Sequence, residues 1–215
     1  MNRSRSRISA IDIFSGINVL LFLWICQTVY YDRFVHYRGK DHLQEFFVYA
    51  LVILAVITVA WRILRRRQIP VWMLVMVQVG IVMHFAGGLA VWHESRLYDK
   101  VILNIRYDKY VHFVNSFICG CFLYIFYFKS LSLARWIVEL QQIIGVLGLG
   151  TVVEIIEYLV TLTVVHNGVG GYDNNMQDII ANLSGSVFCV LVIRLRDRIA
   201  VKHPLTNVRA MERGG

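Results

Sequence analysis

Charge is what this chain has least of. Of its 215 residues only 17% are Asp, Glu, Lys or Arg, where an average soluble domain carries roughly a quarter. Acids are scarcer than bases, 14 against 22, and there are only two prolines. The four cysteines, Cys26, Cys119, Cys121 and Cys189, include no C-x-x-C pair, so neither a zinc ribbon nor a dithiol redox motif is built from them. All four fall within apolar runs and read as small buried hydrophobes. There is no Walker loop, no H-E-x-x-H, no E-x-x-H pair and no G-x-S-x-G, which removes the usual phosphate-loop, zincin, ferritin-like and hydrolase templates.

What is present in abundance is long apolar sequence: 57% of residues are hydrophobic. Crossing a bilayer takes about 20 apolar residues per helix, and six runs approach that length. They cover about residues 11–30, 43–64, 70–92, 110–128, 136–162 and 176–195. Pro70 opens the third, where its missing N–H costs nothing. The reading is an all-α polytopic membrane protein: a six-transmembrane-helix bundle forming a single integral membrane domain over residues 1–215. Leu97, Val101 and Ile105 recur every four residues in the polar segment before span four, which predicts a short interfacial helix there. Gly145, Gly148 and Gly150 predict a tilted or loosened fifth span, and Gly168, Gly170 and Gly171 a turn before the sixth.

The excess of basic residues does not indicate nucleic acid, because the bases stand beside span ends. Fifteen of the 22 fall on one side of the predicted bundle and seven on the other. The positive-inside rule then places both termini in the cytoplasm, in a multi-pass protein of the bacterial inner membrane. Tyr30, Tyr31 and Asp32 follow the first run in place of a small-residue cleavage site. With Arg3, Arg5 and Arg7 ahead of it, that run reads as a retained signal anchor.

Three spans nevertheless reserve a polar stripe at helical spacing. Asp108, His112, Asn115, Ser116 and Cys119 share a face of span four; Glu154, Glu157, Tyr158 and Thr161 share one on span five; Asp178, Asn182, Gly185 and Ser186 share one on span six. His84 lies within span three. At about 1.5 Å rise per residue, Asp108 and Asp178 fall at the outer rim, and the remaining polar groups roughly 6–13 Å below it. Ionised groups at such depth cost about 2.5–3.5 kcal/mol at the helix centre on insertion scales, so they face one another or water. His84 alone is readily explained as a helix-to-helix hydrogen-bonder, Asn182 with Gly185 as packing, and Asp108 with Lys109 as an interfacial charge pair. Glu154 and Glu157 are harder to explain away: two carboxylates one turn apart in lipid repel unless a proton, cation or metal lies between them. His36, His42, His93 and His166 read as surface residues of the outer loops.

Several of these stretches resemble a known family. Tyr107-Asp108-Lys109-Tyr110-Val111-His112-Phe113 is similar to the Y-D-[RK]-x-x-H-F motif of YjdF-like (DUF2238) predicted inner-membrane proteins. His84-Phe85-Ala86-Gly87-Gly88 resembles that family's H-x-x-G segment, and Glu154-Ile155-Ile156-Glu157-Tyr158 its E-x-x-E-[WY]. Tyr172-Asp173 with Gln177-Asp178 resembles its closing segment. More distantly, D-K-x-x-H, the acidic pair and Asp178-x-x-x-Asn182-x-x-Gly185 resemble the VanZ-like family, linked to teicoplanin resistance. The resemblance runs from about His84 to Gly185 and implies a multi-pass membrane protein, with no activity to import.

The residues thus predict an intramembrane Asp/Glu/His pocket in the extracytoplasmic half, acting on membrane lipid or a lipid-linked envelope precursor. Glu154, Glu157, His112, Asp108 and Asp178 are the candidate catalytic residues. A divalent metal is a candidate cofactor, with His84, His112, Glu154, Glu157 and Asp178 as candidate ligands. Asn115, Asn182, Asp173 and Gln177 are expected in support. The alternative is a non-catalytic membrane subunit or small proton-coupled transporter whose polar stripes pack helices or carry protons. Oligomeric state is left open.

Overall fold

The computed structural model describes residues 8–163 and 171–202. The predicted turn at Gly168 and Gly170, His166 and the tail arginines at positions 3, 5, 7, 209 and 213 lie outside the described residues, as do the side chains of Thr161 and Lys202. Six helical segments are long and apolar enough to cross a membrane: Ala10–His36, Lys40–Leu64, Val71–Leu89, Tyr107–Ser130, Arg135–Leu159 and Tyr172–Ile199. Each overlaps one predicted run. The chain divides into two compact units, Met1–Met76 and Val77–Gly215.

In the first unit, α1 (Ala10–Ile25) starts from a capping box: the Ser9 backbone N–H and hydroxyl donate to Asp12 at 2.9 and 2.8 Å. Reciprocal capping of this kind satisfies donors that a helix N-terminus otherwise leaves open. Asp12 also accepts from Trp61 Nε1 at 2.8 Å and pairs with Arg65 Nε at 2.9 Å. That joins the start of α1 to the end of α3 (Leu43–Leu64). The helix of span one does not stop near Tyr30 as the apolar run suggests. It passes through one π turn, Cys26–Tyr30, into α2 (Tyr31–Arg38) and ends at Gly39, whose φ of 84° suits a residue without Cβ. Most of α3 presents apolar side chains outward, among them Phe47, Leu51, Val52 and Val56. Outward-facing apolar residues on a helix whose backbone bonds are satisfied internally are what hydrocarbon surroundings require.

The unit boundary falls inside α4 (Val71–Leu89), and the second unit continues with α5 (Tyr107–Phe126), α6 (Arg135–Thr163) and α7 (Tyr172–Lys202). Small residues set the closest approaches. A Cβ on Gly185 of α7 would collide with the backbone carbonyl of Phe113 on α5, and one on Gly150 of α6 with the amide of Asn182. Helices in lipid gain from such contact because packing replaces the absent hydrophobic driving force. α6 is continuous through Gly145, Gly148 and Gly150, so the predicted loosening is not found. Gly150 instead makes room for Asn182.

The segment between α4 and α5 corrects the sequence reading. Only the 3₁₀ turn Leu97–Asp99 is helical. Around it stand two antiparallel hairpins: β1 (Val91–Trp92) with β2 (Ser95–Arg96), and β3 (Val101–Ile102) with β4 (Ile105–Arg106). Their central residues have positive φ, 48° and 63° at His93 and Glu94, 50° and 64° at Leu103 and Asn104. Positive φ at both positions matches the right-handed twist of short hairpins. The hairpins repeat one another ten residues apart, since Val91↔Arg96 corresponds to Val101↔Arg106. Leu97 N–H donates to Ala90 at 2.9 Å and Tyr107 N–H to Lys100 at 2.8 Å, again ten residues apart.

Candidate functional site

α5, α6 and α7 bring the polar stripes together at one end of the second unit. The N-terminal turns of α5 carry Asp108, Lys109 and His112; the C-terminal half of α6 carries Glu154 and Glu157; the N-terminal turns of α7 carry Asn174, Asp178 and Asn182. All of these but Lys109 and Glu154 line a cavity of about 530 Å³, whose wall also includes His84, Asn115 and Ser116. Its walls mix these polar groups with Val111, Val146, Leu149, Val153 and Ile156.

Lys109 is the organising cation. It is 7% exposed, and its Nζ lies 2.7 Å from Asp178 Oδ1 and 3.2 Å from Asp108 Oδ2. It also donates to Asn174 Oδ1 at 2.9 Å and to the Asn174 carbonyl at 3.1 Å. A buried ammonium with several acceptors is the arrangement that offsets its desolvation. Asn174 in turn donates to Asp178 Oδ2 at 2.8 Å, and Arg106 Nη1 donates to Asn174 Oδ1 at 2.8 Å. Asp178 is therefore held on both oxygens. Deeper in, the Ser116 hydroxyl donates to Asn182 Oδ1 at 2.7 Å, both residues being buried.

His112 lies between two carboxylates. Its Nε2 is 3.3 Å from Asp178 Oδ1 and its Nδ1 3.7 Å from Glu154 Oε1. Glu154 is 4% exposed, and neither of its carboxylate oxygens has a hydrogen-bond partner among the described residues. One candidate ligand atom from each of His112, Glu154 and Asp178 lies within 4.8 Å of the other two. These three are the side chains here that are placed to share a proton or a metal ion.

The remaining candidates are distributed around this centre. Asp108, 8% exposed, lines the cavity, paired with Lys109 and 3.6 Å from Arg106. Glu157 is half-buried on the cavity wall. His84 belongs to the wall as well, but its Nδ1 is engaged at 2.6 Å by the Tyr98 hydroxyl and it stands outside the three-residue cluster. Asp173 and Gln177 are exposed and do not line the cavity. Of the other histidines that read as surface residues, His36, His42 and His93 are exposed. Four contributors escape the sequence reading. Lys109 reaches across to α7 as well as to its neighbour Asp108; Asn174 has no motif; and Arg96 and Arg106, from equivalent hairpin positions, both bind Asp99 at the rim, at 3.0 and 3.3 Å.

Comparison with known proteins agrees with the motifs. No curated protein and no solved structure matches the chain, and a relation to VanZ-like proteins is not shown. The family described as predicted membrane protein (DUF2238) matches residues 20–198. That stretch contains every residue of the cavity. With most of its length matched, this chain belongs to the DUF2238 family of predicted membrane proteins.

Proposed function

We propose that the cavity binds an amphipathic lipid or lipid-linked envelope precursor and works on its polar part, with Glu154 and His112 exchanging protons and Asp178, Asp108 and Lys109 orienting them. One observation carries the reading: a buried carboxylate with no hydrogen-bond partner among the described residues, 3.7 Å from an imidazole that lines a cavity with apolar walls. A helix-bridging glutamate would be hydrogen-bonded, because an unsatisfied buried charge is strongly unfavourable. A group kept unsatisfied in a cavity is positioned for something that enters it. The apolar wall residues suit chains, and the Arg96–Arg106 rim suits an anionic head.

The topology belongs to the same reading. With both termini cytoplasmic in a bacterial inner membrane, the cavity opens on the extracytoplasmic side, where envelope precursors are used. Reporters active only outside the cytoplasm then work when fused after Lys40 or Arg96 and are silent after Arg67 or Ser130; activity after Arg67 overturns this arrangement. For the activity itself, Glu154→Gln and His112→Gln are expected to abolish the cellular phenotype, read as envelope-antibiotic sensitivity, at normal membrane abundance. Full complementation by both folded variants would remove the acid–base role. The Asp178–His112–Glu154 array also favours a second reading, a proton carrier in a transporter or subunit. Proton flux through reconstituted vesicles, without any change in co-purified lipid, would select it.

A further inference from the structure

The acids around the cavity are not treated alike. Asp178 and Asp108 share Lys109, and Asp99 binds Arg96 and Arg106. Glu154 is more deeply buried than Asp108, yet both its oxygens lack a partner among the described residues. His112 Nδ1 lies 3.7 Å from its Oε1, beyond an ordinary hydrogen bond. The space among His112, Glu154 and Asp178 is therefore bounded by one imidazole nitrogen and two carboxylate oxygens, all within 4.8 Å.

We infer that this space is a divalent-cation site, taking a nitrogen from His112 and one oxygen each from Glu154 and Asp178. Charge supports an ion of valence two. Asp108, Asp178, Glu154 and Glu157, set against Lys109 and Arg106, leave two negative charges around it. A divalent ion cancels both in one step. The donor set selects the kind of ion: imidazole suits zinc and the later transition metals, and carboxylates suit manganese and zinc, whereas magnesium and calcium prefer oxygen alone. Asp178 Oδ1 already accepts from Lys109 at 2.7 Å, but a carboxylate oxygen has two lone pairs, and Lys109 keeps Asp108 and Asn174 as further partners. Lys109 and Asn174 thus hold the Asp178 carboxylate in place from outside, as supporting hydrogen bonds do at metal sites. Three protein ligands leave coordination positions facing the cavity.

The inference rests on the reading of the cavity as a working site, with Glu154 and His112 holding an ion in place of exchanging protons directly, and it has its own test. The full chain is purified in detergent, stripped with chelator, and titrated with Zn²⁺, Mn²⁺, Mg²⁺ and Ca²⁺, with retained metal measured by elemental analysis after desalting. The expected result is saturation near one Zn²⁺ or Mn²⁺ per chain, with little Mg²⁺ or Ca²⁺ retained. Glu154→Gln and Asp178→Asn should each weaken binding roughly tenfold or more, while Glu139→Gln, at a carboxylate outside the cavity, leaves it unchanged. Glu154→Asp, which keeps the charge, serves if Glu154→Gln does not fold. Absence of saturable binding, or binding of several ions that Glu154→Gln does not alter, overturns the site. Lipid extracted from the same samples separates the two claims. Lipid without metal removes the ion site and leaves the lipid reading; metal without lipid does the reverse.

Discussion

Two glutamates on one helix show how the ends of the second unit differ. Glu139 and Glu154 both lie on α6, about 22 Å apart at 1.5 Å per residue, and they are buried to a similar degree, 8% and 4% exposed. Glu139 is fully engaged. Arg135 Nε donates to its Oε1 at 3.0 Å, Arg194 Nε to the same oxygen at 2.6 Å, and Arg194 Nη2 to Oε2. Nearby, Gln142 donates to the Gly120 carbonyl at 3.1 Å and lies 3.3 Å from Cys189 Sγ. Glu154 has no hydrogen bond among the described residues, and His112 stands 3.7 Å away. The Glu139 end is a closed network in which each polar group has a use inside the protein. The Glu154 end leaves a gap in an otherwise similar network. Burial alone does not distinguish the two glutamates; the lack of a hydrogen-bond partner does.

Four substitutions test that contrast, read as stability in detergent. The largest effect is expected from Lys109→Met, which leaves Asp108 and Asp178 buried without their shared cation. Breaking a buried ion network from one side costs about 3–5 kcal/mol. A loss below about 1 kcal/mol would mean that water reaches these acids and that the two ends are equally wet. Gly185→Ala comes next, because the new Cβ meets the Phe113 carbonyl and backbone cannot step aside as a side chain can. Overpacking of this kind costs about 1–3 kcal/mol, and it should also disturb the Ser116–Asn182 hydrogen bond one turn away. An unaltered melting temperature would show that α5 and α7 are not in close contact there.

Glu139→Gln removes the charge that gathers Arg135 and Arg194, and a fall in melting temperature of about 2–4 °C is expected. The smallest effect belongs to Glu154→Gln: no loss, or a slight gain, since deleting an uncompensated buried charge is often neutral or favourable. If instead Glu154→Gln destabilises as much as Glu139→Gln does, Glu154 is structural and the comparison fails.

The spans were legible in the sequence because run length is a coarse signal that tertiary contacts do not alter. The stripe through His112, Glu154, Asp178 and Asn182 was legible too, since spacing of three and four residues fixes a face whatever the neighbours are. What Lys109 and Asn174 do was not. Their meeting depends on how far α7 is displaced along α5, and that is set by the contact of Gly185 with Phe113, which no local pattern expresses. The hairpins were hidden for another reason. Their turns are His93-Glu94 and Leu103-Asn104, not the Asn-Gly or Asp-Gly pairs that announce positive φ. A period of four was then read where a period of ten was present. Span one runs past its apolar limit because the helix, once nucleated, continues through Tyr31–Arg38 until a glycine ends it.

The two hairpins end in nearly the same word, Arg96-Leu97-Tyr98-Asp99-Lys100 and Arg106-Tyr107-Asp108-Lys109, and the copies have been put to different uses. In the second, Asp108 and Lys109 turn inward and are buried as α5 begins. In the first, Asp99 stays exposed and Lys100 half-exposed at the mouth, with Tyr98 reaching down to His84. A duplicated phrase of this kind divides labour between a doorway and a floor. On the proposed reading, substitutions at Arg96 or Asp99 change what is admitted, and Arg106, which touches Asp99, Asp108 and Asn174, ties that doorway to the buried set.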